Sequence, residues 1–541
     1  MKRPAWFRCR SSRPSGRRDP VTVWLTEIAA LCEPECMATL QSKSLLPPGT
    51  SAGGACDLPA LTLVADARNA VRTLQLRAHV ISAEFVKLCQ QMEQGSLDQA
   101  PPLVQSLVGH VTEFVRGCHG GAAVCAKDCC SEEESALLTA CDRLRFAAVP
   151  SLMPLDPEEI AGHVASLGHA FTHVVDLVLS REIQVLVTVL EDADSELAQR
   201  SALSGLAALG LEGAHLSRLV AQCGGVRALL SVAIDSRSSP VRATALRALA
   251  TICCVAEAVR EFEKAGGVEI IADVLTESGR ETASGKRRRS EMEASEAAAV
   301  LAQITAPWME DNDSVEGLVE HIRPIVHALA RLVEETRSTE TLLLAAAALA
   351  NLTFMEPRAV WPLVESGAAQ KLLEAVRAAG PRIPASVFLR EQAATLIANM
   401  AAVPETRTHL AGSGDSSGRT VTALLCFLQV RHSPLQRVNE ISAAERLQQK
   451  SAIALSRLCS DPEVSKQVVE MQGVSRLVRL CVDERERNHS DGVLIACLAA
   501  LRKISANCGT KVIEDLGAMD LVEPRLLDSF LLYSSRQESY V

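Results

Sequence analysis

Residues 348–352 read Ala-Leu-Ala-Asn-Leu, and a segment of the same form returns six more times along the chain. The set is GLAAL (205–209), ALATI (248–252), VLAQI (300–304), ALANL (348–352), LIANM (396–400), ALSRL (454–458) and ALRKI (500–504). Their fourth residues, Ala208, Thr251, Gln303, Asn351, Asn399, Arg457 and Lys503, step by 43, 52, 48, 48, 58 and 46 residues. Each segment ends an apolar helix, and between them stand glycine turns that open a further helix: Gly224-Gly225-Val226, Gly266-Gly267-Val268, Gly367-Ala368, Gly473-Val474 and Gly517-Ala518. Glycine there allows the left-handed or tight geometry that joins short helices. A repeat of this size cannot bury its apolar face alone, so the units must stack.

Periods of this length with these turns are those of armadillo or HEAT repeats carrying insertions, and the motif resembles the armadillo type. Composition agrees: 48% of the residues are hydrophobic and only 3% aromatic, as suits many short, closely packed helices. The long steps place extra loops at 279–293, which holds Lys286, Arg287, Arg288 and Arg289, and at 431–444. The basic run reads as a solvated loop or an import signal. The fold class that follows is all-α: an armadillo-type helical-repeat solenoid over 191–528, with a helical cap over 61–190. In the cap, Leu63, Ala67, Val71, Leu74, Ala78, Ile81, Phe85 and Leu88 recur every three or four residues, the mark of one buried helix face.

Ahead of the cap lie three segments of different character. Residues 1–18 carry seven Lys or Arg and no acid and read as a disordered basic tail. Residues 44–60, rich in Pro, Gly and Ser, read as a linker. Between them, 19–43 (DPVTVWLTEIAALCEPECMATLQSK) form a linear binding segment. Asp19 suits an N-cap and Pro20 the first helical position, after which Val21, Trp24, Leu25, Ile28 and Leu31 share one face. Pro34 ends the helix near Leu31 to Glu33 and leaves an extended arm. An isolated helix of about four turns is marginal in water, so this one either gains order in a partner's groove or packs on the main body.

The succession Trp24, Leu25, Glu27, Ile28, Leu31, Glu33, Glu35, Cys36, Met37, Leu40, Gln41, Lys43 resembles the partner-binding segment of the Inscuteable spindle-orientation adaptors. The resemblance implies that it fills the tetratricopeptide groove of a Pins/LGN-type adaptor. Trp24, Ile28 and Leu31 would be buried anchors, each worth roughly 1.5–3 kcal/mol of transfer free energy. Leu25 would share their face. Glu27, Glu33 and Glu35 would pair with basic groove residues, with Pro34 setting the arm's direction and Met37 and Leu40 extending the contact. It further implies engagement of the Par polarity complex through its Bazooka-type scaffold, recruitment from the cytoplasm to the apical cortex, and a possible hetero-oligomer. Residues 529–541 form a tail ending Ser539-Tyr540-Val541, the form of ligand that a PDZ domain adds as a strand. The preceding 524–530 (PRLLDSF) also resemble the Inscuteable carboxyl end.

The remaining motifs carry less. Peptide-binding armadillo proteins use an asparagine ladder with tryptophans a turn earlier, and here only Asn351 and Asn399 are asparagine, preceded at that spacing by Ala347 and Thr395. Two rungs give little affinity, though an armadillo peptide receptor or transport adaptor using this groove is the second reading. Eighteen cysteines without a signal-like segment indicate reduced thiols. Cys118, His119, Cys125, Cys129, Cys130 and Cys141 lack paired zinc spacing, and His163, His169 and His173 read as partly buried structural histidines. No metal or cofactor is expected. No Walker loop, nucleophile elbow, H-E-x-x-H or dinucleotide turn is present. No run spans a bilayer, and a net charge of −10 opposes nucleic-acid binding.

Overall fold

In a computed structural model of the chain the described residues are 58–94, 100–118, 131–148, 157–193, 195–277, 290–309, 314–379, 386–412, 418–431 and 437–534. They are helical, with no strand among them. The basic tail 1–18, the segment 19–43, residues 44–57 of the expected linker, the Lys286–Arg289 run, the cysteines between 119 and 130, and the tail from 535 lie outside them; residues 58–60 of the expected linker instead begin the first helix, and 529–533 of the expected tail end the last. The chain divides into two compact units, and the division falls after Glu261.

The first unit opens with four helices: α1 (Leu58–Glu93), α2 (Ala100–Cys118), α3 (Ser131–Ala147) and α4 (Pro157–Asp192). At 36 residues each, α1 and α4 run about 54 Å and pack along one another. Of the face read from the sequence, Ala67, Val71, Leu74, Ile81, Phe85 and Leu88 on α1 are buried, but Leu63 is 42% exposed, Ala78 is half-buried and Val64 takes the inward position; on α4, Ile160, Val164, Leu167 and Phe171 are buried. Phe171 gathers Phe85 and Phe114 at ring distances of 6.0 and 5.3 Å. Because Val164, Leu167 and Phe171 face inward, His169 and His173 fall on the outer face and are exposed, and His163 is half-buried beside Glu159. The expectation of partly buried histidines holds only for His163. Then come α5 (Glu196–Glu212), α6 (Ala214–Gln222), α7 (Gly225–Asp235), α8 (Ser239–Ile252) and α9 (Ala256–Lys264), in which the division falls.

The second unit contains α10 (Gly267–Glu277), α11 (Glu291–Ile304), α12 (Leu318–Glu335), α13 (Thr339–Met355), α14 (Val360–Ser366), α15 (Ala368–Ala379), α16 (Ser386–Met400) and α17 (Arg407–Ala411). It continues with α18 (Arg419–Phe427), α19 (Val438–Leu458), α20 (Pro462–Glu470), α21 (Gly473–Val482), α22 (Asp491–Cys508), α23 (Lys511–Asp515) and α24 (Leu526–Tyr533). The stack is carried by α11, α13, α16, α19 and α22, each packed on the next. These are helices marked by the repeated pentads. The pentad alanines are almost fully buried, because small side chains let successive helices approach closely.

Two loops expected from the sequence are shorter than expected. Helix α11 starts at Glu291, with Ser290 accepting from Glu293 N–H and Glu293 reaching back, a complete capping box. Helix α19 starts at Val438, so Ala443 and Ala444 belong to its buried face. The glycine turns also divide their labour. Gly224 and Gly266 take left-handed angles (φ 78° and 69°), while the second glycine of each pair sits against the residue five before it. A Cβ on Gly225 would lie 2.5 Å from Val220 Cγ1, and one on Gly267 would lie 2.6 Å from the Phe262 ring. At 472–473 the left-handed residue is Gln472 (φ 56°), and Gly473 keeps only the close-approach role, since a Cβ there would lie 2.8 Å from both Val468 and Leu425.

Candidate binding surfaces

The fourth residues of the pentads do more than mark register. Asn351 donates its Nδ2 to Ala302 O (2.8 Å), Asn399 to Ala350 O (3.1 Å), Arg457 its Nη1 to Ala398 O (2.6 Å), and Lys503 its Nζ to Ser456 O (2.6 Å). Every acceptor is the residue just before the fourth position of the preceding pentad. In the first unit Thr251 repeats the relation, with its hydroxyl 3.3 Å from Ala207 O and 2.8 Å from Ala248 O. At these five positions a side chain of the later helix ties off a carbonyl of the earlier one. Gln303 stands in the same register, 2% exposed, with its Oε1 buried and unpartnered among the described residues.

This ladder changes what the two asparagines offer. Asn351 is 7% exposed, and its amide N–H is engaged inside the stack. Asn399 is half-buried and also donates to Thr353 Oγ1 at 3.1 Å. Ala347 is buried and Thr395 returns its hydroxyl to Glu391 O, so no aromatic shelf stands a turn earlier. Sequence reasoning placed Arg457 and Lys503 only as register marks. Their location on the same row as the asparagines was legible, but their donation to a carbonyl a repeat earlier was not.

Several chemistry-bearing groups elsewhere are engaged or shielded, while the Cys426 and Cys508 thiols are exposed. Thr112, Arg116, Glu134, Cys141, Asp142 and Arg145 line a cleft of about 450 Å³ between α2 and α3. Burial pushes the Cys141 thiol up to about 11, the opposite of what a nucleophile needs. Cys118 is half-buried and donates to Phe114 O. His215 Nε2 lies 2.7 Å from Asp176 Oδ1, and burial raises the Asp176 carboxyl. Among the described residues no group of three or more His, Cys, Asp or Glu is placed to hold a metal ion, and no helix is long and apolar enough to cross a membrane. Leu527, Leu531 and Leu532 of α24 are 62, 42 and 58% exposed, ahead of the tail.

The chain is similar to known proteins over most of its length. Residues 77–541 match the family described as Protein inscuteable C-terminal. The chain is 33% identical over 534 residues to Protein inscuteable homolog of Mus musculus and, at the same level, of Homo sapiens, covering 97% of this chain and 88% of each relative. Among solved structures, an engineered protein aligns with TM-score 0.48 at 20% identity, over 87% of this chain and 96% of that one. A designed armadillo repeat protein aligns with TM-score 0.36 at 21% identity, over 51% of this chain and 99% of its own. On the family match and the length and identity of these relatives, the chain belongs to the Inscuteable family.

Proposed function

We propose that this chain is a non-catalytic adaptor that joins a Pins/LGN-type tetratricopeptide adaptor to the Par polarity complex and so orients the mitotic spindle in asymmetric division. Family membership carries the reading. The alignment with the mammalian relatives covers 97% of the chain, so it reaches into the amino-terminal part that the family match, beginning at residue 77, leaves out. That part contains the 19–43 segment.

In this reading the helix presents Trp24, Leu25, Ile28 and Leu31 to an apolar groove, each large anchor contributing roughly 1.5–3 kcal/mol on burial. Glu27, Glu33 and Glu35 meet basic groove side chains and set register. Beyond Pro34, the arm adds Met37 and Leu40. The stacked helices form a scaffold body, and the Ser539-Tyr540-Val541 end offers a carboxylate and an aliphatic side chain to a PDZ domain. Recruitment to the cell cortex follows from the polarity partner.

Calorimetry with a peptide spanning 19–43 and a purified Pins/LGN-type tetratricopeptide domain tests the central contact. Saturable binding that Trp24→Ala weakens by about 2 kcal/mol or more is the expected result. Equal binding by both peptides, or none by either, would sink it.

A further inference from the structure

Three cations stand together in the second unit without a carboxylate to balance them. Arg457 and Lys503 are successive rungs of the ladder, and Arg407 donates its Nε to Ala401 O at 2.9 Å, three residues beyond the Ala398 carbonyl that Arg457 uses. All three are half-buried, and none forms an ion pair with a described residue. Four other arginines of this unit are neutralised: Arg446 by Glu391, Arg476 and Arg431 by Glu486, and Arg419 by Glu374, while Arg502 donates to the Leu521 and Val522 carbonyls and to Ser529. Burial pulls the Arg457 and Lys503 pKa values down, and the charge of Arg407 lowers both further. The protein holds these charges at a cost.

The hydrogen bonds do not require that cost. Asn351 and Asn399 make the same bond to the preceding helix from neutral amides. A glutamine at 457 or 503 would have donors enough, without desolvating a charge or setting it beside another. The charge is therefore surplus to the stack, and so are most of the donors, since a guanidinium has five N–H groups and an ammonium three.

We propose that Arg407, Arg457 and Lys503 form a binding row for an extended acidic peptide of a partner, whose carboxylates take up the spare donors of successive repeats. Neighbouring helices lie about 8–10 Å apart and a strand rises roughly 3.3 Å per residue, so acids two or three positions apart can reach adjacent rungs. Polyphosphate ligands fit less well. Arg457 and Lys503 are recessed on separate helices, half-buried, whereas duplex or lipid binding needs cations thrust into solvent. The proposal does not depend on the partner of the 19–43 segment.

The test uses the full chain and a fluorescent oligoglutamate peptide, read by anisotropy at physiological ionic strength, with a neutral oligoglutamine control. Saturable binding to oligoglutamate alone is expected, falling with added salt. The double variant Arg457→Gln/Lys503→Gln keeps both donors and removes both charges. It should melt at or above the parent's temperature and bind about tenfold more weakly or less, while Arg457→Lys/Lys503→Arg retains binding. The assignment is overturned by undiminished binding in the neutral variant, by no saturable binding to the parent, or by a neutral variant that unfolds, which would make the charge structural. It is also overturned if phosphatidylinositol bisphosphate vesicles or duplex DNA bind through these residues and oligoglutamate does not.

Discussion

Arg446 on α19 grips Glu391 on α16 with two hydrogen bonds, Nε to Oε1 at 2.6 Å and Nη2 to Oε2 at 3.2 Å, and the two side chains are 8 and 6% exposed. A pair this dry loses much of its Coulombic gain to desolvation. Burial raises Glu391 above the ordinary carboxylate range, and the attraction of Arg446 offsets this only in part. The folded chain therefore holds that proton more tightly than the unfolded one. Its contribution is full below the unfolded value near 4.5 and is lost as pH rises through the folded value. Arg446→Met should cost about 3–5 kcal/mol at neutral pH, whereas Arg446→Met with Glu391→Met should be neutral or stabilising. Denaturant unfolding of the four proteins of the cycle checks this, and equal losses in the single and double variants would contradict it.

The ladder predicts that the asparagines are structural. Asn351→Ala leaves the Ala302 carbonyl without its donor in a buried place and should destabilise by about 1–3 kcal/mol. A groove that uses Asn351 only for a ligand predicts an unchanged melting temperature.

The turn at 472–473 makes an opposite pair of predictions. Gln472→Gly relieves a left-handed backbone at φ 56° and should raise stability by roughly 0.5–1 kcal/mol, once the added freedom of the unfolded chain is set against the relief. Gly473→Ala pushes a Cβ to 2.8 Å from both Val468 and Leu425 and should lower stability by about 1–3 kcal/mol. Thermal melts with both shifts in the same direction would refute the division of labour.

In the first unit, His110 Nδ1 lies 2.9 Å from both oxygens of Glu84. That hydrogen bond, with the carboxylate's charge, raises the His110 pKa above 6.5. The protonated ring is favoured on folding, so its contribution is present below 6.5 and fades as pH rises through the folded value. Proton NMR should show His110 titrating late and Glu84→Gln returning it towards the unperturbed range; no change in the variant would contradict the assignment.

Much of the fold was legible because the pentads and the buried face of α1 are local patterns. The start of α11 was legible too, in Ser290-x-x-Glu293, but it follows a basic run and its first turns hold Glu293, Ser295 and Glu296, which look like solvated residues and are buried. Thr341 explains one of them by donating to Ser295 from the next helix. The outward placement of His169 and His173 depended on which of two possible faces α4 buries. For the proposed binding row, the repeat alignment showed only that Arg457 and Lys503 share a register. That they lack carboxylates while Arg446 has one depends on which side chains meet across repeats, which no local pattern records.

The relation kept by Thr251, Asn351, Asn399, Arg457 and Lys503, in which a rung engages the residue just ahead of the preceding rung, has a consequence for assembly of the fold. A helix that slid by one turn along its neighbour would still bury alanine against alanine, and apolar contact alone would barely penalise the slip. It would, however, miss its own acceptor and withdraw the acceptor of the helix that follows. The polar row thus works as a vernier on an otherwise slippery alanine interface. Insertions of unequal length can accumulate between repeats while the alignment of the helices themselves stays fixed.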